Sequence, residues 1–213
     1  MKRSQRGFTL AEILTVLVIM GLMLSVVAFS VPLFMSGPQE AQSQVDNVES
    51  AALALYKMQH DTRPSNIKNV WSCTTALACT QPTPGPNMPT AQAVVVLTAN
   101  GTGQFVTNSS GSPQWQGFDV YWITPNADGS SNELRRAFVS VAFANNTPVP
   151  ADAVGALTTA LGLTTYTTVA QDVWDMKFAV DKTTNTVDLQ LDSGDNKGNM
   201  SSLRLAGNSY VRN

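Results

Sequence analysis

From Phe8 to Met35 the chain is apolar at nearly every position, broken by a few hydroxyl side chains and by a single charge, Glu12. The run exceeds the roughly 20 residues a helix needs to cross a bilayer, so it predicts a membrane-spanning helix with room for some tilt. Pro32 predicts a kink, and Ser36-Gly37-Pro38 predicts an interruption, with the helix restarting near Gln39. Val45, Val48, Ala52, Leu55 and Tyr56 then recur at three- and four-residue steps, with Glu40, Gln44, Glu49 and Lys57 elsewhere around the axis. This predicts an amphipathic helix over 39–61 whose apolar stripe packs on a sheet and which ends at Arg63-Pro64.

Prolines 82, 84, 86 and 89 make the stretch from Pro64 to Pro89 read as loop. Ala93 to Ala99, Gly117 to Thr124 and Ala137 to Ala144 are rich in Val, Phe, Tyr and Trp between turn-forming residues, so three strands are expected. Ala153, Leu157 and Leu161 predict a short helix from Pro150 to Leu163, capped by Asp152. Val173 to Val180 and Thr186 to Leu191 flank the polar turn at 181–185. Val187, Leu189 and Leu191 alternate with polar neighbours as a half-buried antiparallel strand does. A last strand is expected over Met200 to Ala206 and Tyr210 to Val211. The predicted fold class is α+β: a long N-terminal helix, with residues 8–35 in the membrane and 39–61 beyond it, followed by an antiparallel sheet domain over 62–213.

Charge gives this plan a direction. Lys2, Arg3 and Arg6 precede the apolar run, which predicts a cytoplasmic N-terminus and an exported remainder. The net charge of -2 gives no general attraction to nucleic acid. Cys73 and Cys79 fall on the exported side, where a disulfide is expected; a pair of free thiols is the alternative. Closing so short a loop stabilises by about 2 kcal/mol and pins it locally. Glu12 remains the anomaly, since a carboxylate inside a membrane helix costs several kcal/mol and usually marks function.

Arg6-Gly7-Phe8-Thr9-Leu10-Ala11-Glu12 resembles the class III leader of type IV prepilins and of type II secretion pseudopilins. The resemblance implies cleavage after Gly7, N-methylation of the new N-terminal Phe8, and an assembly role for Glu12. An ordinary secretory signal is cleaved beyond its apolar segment at an A-x-A-like site, and Val27-Ala28-Phe29 does not supply one. The apolar helix would therefore be retained. Cleavage leaves an ammonium in an apolar layer, costly unless paired, and Glu12 is its available counter-ion. In the family that pair is thought to form between neighbouring subunits; within one helix the two groups are four residues apart, so an intramolecular pair is equally open.

The resemblance implies a bacterial inner-membrane protein, N-terminus inside, that later joins a pilus or pseudopilus. Its partners would be other pilin or pseudopilin subunits, a prepilin peptidase, an inner-membrane assembly platform, and lipid before assembly. Its length, its unusually placed cysteines and the inserted segment around 151–168 point to a minor or accessory subunit. A secretion pseudopilin and a DNA-uptake pilin share the same leader, and a monomeric tethered binding domain is the rival of a different class.

Other constellations carry less. Asp192, Asp195, Asn196 and Asn199 offer oxygens for calcium, but the stretch lacks the EF-hand order and its late Glu, so a solvated turn is expected. Arg135-Arg136 reads as charged protection of a strand edge. Trp71, Trp115, Trp122 and Trp174 read as core residues and His60 as a surface residue. No nucleophile-base pair, phosphate loop or metal cluster is legible, so neither catalysis nor a cofactor is expected.

Overall fold

The computed structural model describes residues 10–74, 77–83, 90–101, 104–125, 132–143, 148–193 and 203–210. The chain divides into two compact units, Met1–Val45 and Asp46–Asn213. Helix α1 (Leu10–Thr62) contributes to both. Its backbone is helical through Pro32 and through Ser36-Gly37-Pro38, where the sequence predicts an interruption. Each proline withholds one backbone donor, and a helix this long keeps its other bonds on either side. It stops at Thr62, ahead of Arg63-Pro64.

Among the described residues of the second unit, nine strands form two antiparallel sheets. Six lie in the order β2 (Cys79–Thr80), β1 (Val70–Cys73), β3 (Ala93–Thr98), β4 (Gly117–Pro125), β5 (Asn132–Ser140) and β6 (Thr167–Gln171). The other three are β7 (Val173–Asp181), β8 (Thr186–Ser193) and β9 (Leu203–Tyr210), paired in sequence order. A long N-terminal helix followed by antiparallel sheet makes this an α+β, pilin-like arrangement.

The larger sheet is covered on both faces, which explains why all six residues of β3 are buried. Side chains alternate along a strand. Val94 and Val96 therefore join Ala54, Leu55 and Met58 of α1 and Phe178, Leu189 and Leu191 of the smaller sheet. Val95 and Leu97 face the opposite way, onto Ala153, Ala156, Leu157 and Ala160 of helix α2 (Pro150–Leu161). The segment expected to be an insertion is thus part of the core. Asp152 is not its N-cap: Val149 is, and its N–H donates to Asp152 Oδ2 at 2.9 Å.

The stripe expected to pack inward along α1 is largely the outward one. Ala51, Ala54, Leu55, Met58 and Thr62 are buried, whereas Val45, Val48, Ala52, Leu53 and Tyr56 are exposed. Small alanines let the helix backbone approach the sheet closely, and Met58 fills the remaining gap.

The stretch expected to be loop contains β1 and β2, with Cys73 and Cys79 as cross-strand partners. β5 begins at Asn132, earlier than its apolar run suggests, because it pairs residue by residue with β4 from Pro125–Asn132 to Gly117–Ser140. The turn between β7 and β8 is built by Asp181, whose Oδ1 accepts from the Thr183 N–H at 2.7 Å, and by Asn185 at φ 55.

Candidate functional site

Glu12 lies in the first turn of α1, the described helix beginning at Leu10. Gly7 and Phe8 lie outside the described residues. The segment Leu10–Ser30 is long and apolar enough to cross a membrane, and none of its most apolar window is buried within the protein. Its 21 residues span about 31 Å at 1.5 Å per residue, close to the thickness of a hydrocarbon core. Thr15, Ser25 and Ser30, the hydroxyls of this stretch, donate to Ala11 O at 2.6 Å, Leu22 O at 2.7 Å and Val27 O at 3.1 Å. That back-bonding removes their cost in lipid or against another helix. A fully apolar surface with one acidic group near its start is chemically suited to two environments, a bilayer and a bundle of like helices.

A second constellation sits in the Asp46–Asn213 unit, where α1 ends on the larger sheet. Tyr121 of β4 donates its hydroxyl to Asp61 Oδ2 at 2.5 Å. Arg136 of β5 places Nη2 3.0 Å from Asp61 Oδ2 and 2.7 Å from Asp119 Oδ1. The Asp119 contact is an ion pair by distance without hydrogen-bond alignment. Tyr121 is fully buried, and Asp119 is 3% exposed. Burial pushes the Asp119 carboxyl up to about 6; Arg136 pulls the other way, and Asp61 adds to the rise. Burial and the Asp61 carboxylate raise the Tyr121 phenol well above its ordinary value. These four side chains form one connected network. It ties the last turn of α1 to two strands and so fixes which face of the helix looks outward.

None of this quartet was legible as a group. Asp119 inside an otherwise apolar strand was the available signal, since a carboxylate among buried residues needs a partner. Arg135 and Arg136 are not edge protection, because β5 lies between β4 and β6. Arg136 turns to the α1 side, while Arg135 packs its guanidinium 4.1 Å from the centre of the Tyr166 ring and pairs with Glu133. Trp71 and Trp122 are buried and Trp115 packs against the same cluster, but Trp174 is 38% exposed. His60 is exposed, with Nδ1 3.4 Å from Asp61 Oδ1.

Cys73 and Cys79 form a disulfide across the β1–β2 pair. Gln81 reinforces that corner, its Nε2 donating to Ile67 O at 3.2 Å and Val70 O at 3.0 Å. Of the calcium candidates, Asp192 belongs to β8, where it accepts from Gln190 Nε2 at 3.0 Å and lies 3.7 Å from Lys177 Nζ. Asp195, Asn196 and Asn199 lie outside the described residues, and no group of three metal-ligating side chains occurs among the described ones.

Residues 2–28 match the family model of the prokaryotic N-terminal methylation motif. Neither a curated protein nor a solved structure matches the chain.

Proposed function

We propose that this chain, which carries a type IV prepilin-like class III leader, is a structural subunit of a pilus-like filament. It is cleaved after Gly7, methylated at Phe8, and transferred from the inner membrane into the filament through its apolar helix. The observation that carries this reading is the methylation motif running directly into a helix whose apolar surface the protein itself leaves uncovered. Glu12 is the selector: on joining the helix bundle its carboxylate neutralises the ammonium of a neighbour's Phe8, a contact worth most where water is excluded. The sheet domain stays on the exported side, held together by its own core and its disulfide, and needs no chemistry of its own.

The test is Glu12→Ala. Membrane insertion and leader cleavage are expected to persist, while incorporation into filaments is lost. Normal incorporation would remove the role given to the carboxylate, and copurification with no pilin-type subunit would favour a monomeric tethered domain. The machine served, whether pilus, type II pseudopilus or DNA-uptake filament, would be identified by the secretin and assembly ATPase encoded beside it.

A further inference from the structure

Two adjoining hollows open where the last turns of α1 meet the loop that follows β3. A groove of about 680 Å³ is lined by Tyr56, Lys57, His60, Asp61, Asn100 and Arg136, among others. A recess of about 490 Å³, lined by His60, Arg63, Pro64, Asn100 and Phe105, joins it through His60 and Asn100. Two aromatic rings on these walls reach solvent, Tyr56 at 63% and Phe105 at 41% exposed. Lys57 and Arg63 are exposed as well and form no ion pair among the described residues. Arg136, by contrast, is engaged by Asp61 and Asp119. Lys57, Arg63 and Arg136 thus stand against Asp61 and Asp119, a surplus of a single positive charge. The lining residues also carry two buried polar atoms with no hydrogen-bond partner among the described residues, Asn100 Oδ1 and Arg136 Nε. Such atoms are uncommon in folded proteins and call for an explanation.

We propose that this groove binds an acidic saccharide, a run of pyranose rings carrying widely spaced carboxylates. A pyranose has an apolar C–H face and a rim of hydroxyls, so it needs a flat apolar surface beside both donors and acceptors. Tyr56 and Phe105 supply the surface, Asp61 and Asn100 the acceptors, and Lys57 and Arg63 the cations for a carboxylate. The charge balance narrows the class. A nucleic acid brings one phosphate per nucleotide, a density that Asp61 and the buried Asp119 oppose. A glycan charged on every second ring matches the small surplus. β3 is paired on both sides, so the wall offers a peptide no strand edge to extend. The groove lies within the Asp46–Asn213 unit, and the proposal stands whether or not the chain enters filaments.

Calorimetric titration of the full-length chain, held in a detergent without a sugar headgroup, tests this with four six-unit probes. A hyaluronan fragment, with carboxylates on alternate rings, is expected to bind with a Kd of about 0.1–1 mM, as an open site should. Maltohexaose, hexathymidylate and hexaglutamate are each expected to bind at least about tenfold more weakly. Equal binding of maltohexaose would show that the cations play no part and overturn the proposal. Equal or tighter binding of hexathymidylate or hexaglutamate would overturn it in favour of a nucleic acid or an acidic peptide, and no binding of any probe would remove the site. Tyr56 and Arg63 are exposed, so their variants should melt like the native chain. Arg63→Gln and Tyr56→Ala should each weaken the hyaluronan fragment about fivefold or more, while Arg63→Lys and Tyr56→Phe, which keep the charge and the ring, should stay within about threefold. Unchanged affinity in either of the first two variants would refute the assignment of these residues.

Discussion

The residues that matter most here are charges in apolar places, and they were legible to different degrees. Glu12 stands out in sequence because nothing else from Phe8 to Met35 is charged. Asp61, Asp119, Tyr121 and Arg136 come from one helix and two strands, and only the register of β4 on β5 and the seating of α1 bring them together. Asp119 makes a testable contribution to stability. It holds its proton up to about pH 6 in the folded protein, against 3.8 when unperturbed. The cost of its buried charge is absent below about pH 3.8, grows as pH rises, and is complete above about pH 6. Asp119→Asn should remove that component: thermal melts across this window should show a flatter pH profile than the native chain, and an unchanged profile would contradict the burial argument. At the leader, Gly7→Val should leave the chain unprocessed, seen as a larger species by intact mass.

Among the elements, periodicity located both helices and most strands but misassigned the face of α1. Of the expected stripe Val45, Val48, Ala52, Leu55 and Tyr56, Leu55 alone is buried, and the sheet takes it together with Ala51, Ala54 and Met58. A three- to four-residue rhythm cannot say which of two adjacent stripes serves the core. β1, β2 and β6 escaped for another reason. They are short and contain Ser, Cys, Thr and Gln, so their strand character comes from pairing, β1 with β3, β2 with β1 and β6 with β5, and not from local propensity. The disulfide belongs to this scale. C73A/C79A should cost about 2 kcal/mol in urea unfolding while leaving the sheet's far-ultraviolet signature in place; loss of cooperative folding would mean that the bridge holds more than its hairpin. Met58→Ala, at the buried contact of α1 with the sheet, should cost about 2–5 kcal/mol in the same measurement.

For the whole molecule, the sequence conveyed the plan of a helix apolar and long enough to cross a membrane, followed by an antiparallel sheet domain. The covering of the large sheet on both faces was not visible, because α2 reads as an insertion until its alanines are seen against β3, β4 and β5. The segment builds the core and does not decorate it. Everything functional nevertheless returns to the first residues. If the protein is a processed filament subunit, its chain must begin where the leader ends, with the apolar helix retained. The most direct test is N-terminal peptide mass spectrometry of the native protein isolated from membranes. The account predicts a chain starting at Phe8 and carrying one methyl group on its amine. A chain that keeps Met1, or one that starts beyond Met35, would contradict it.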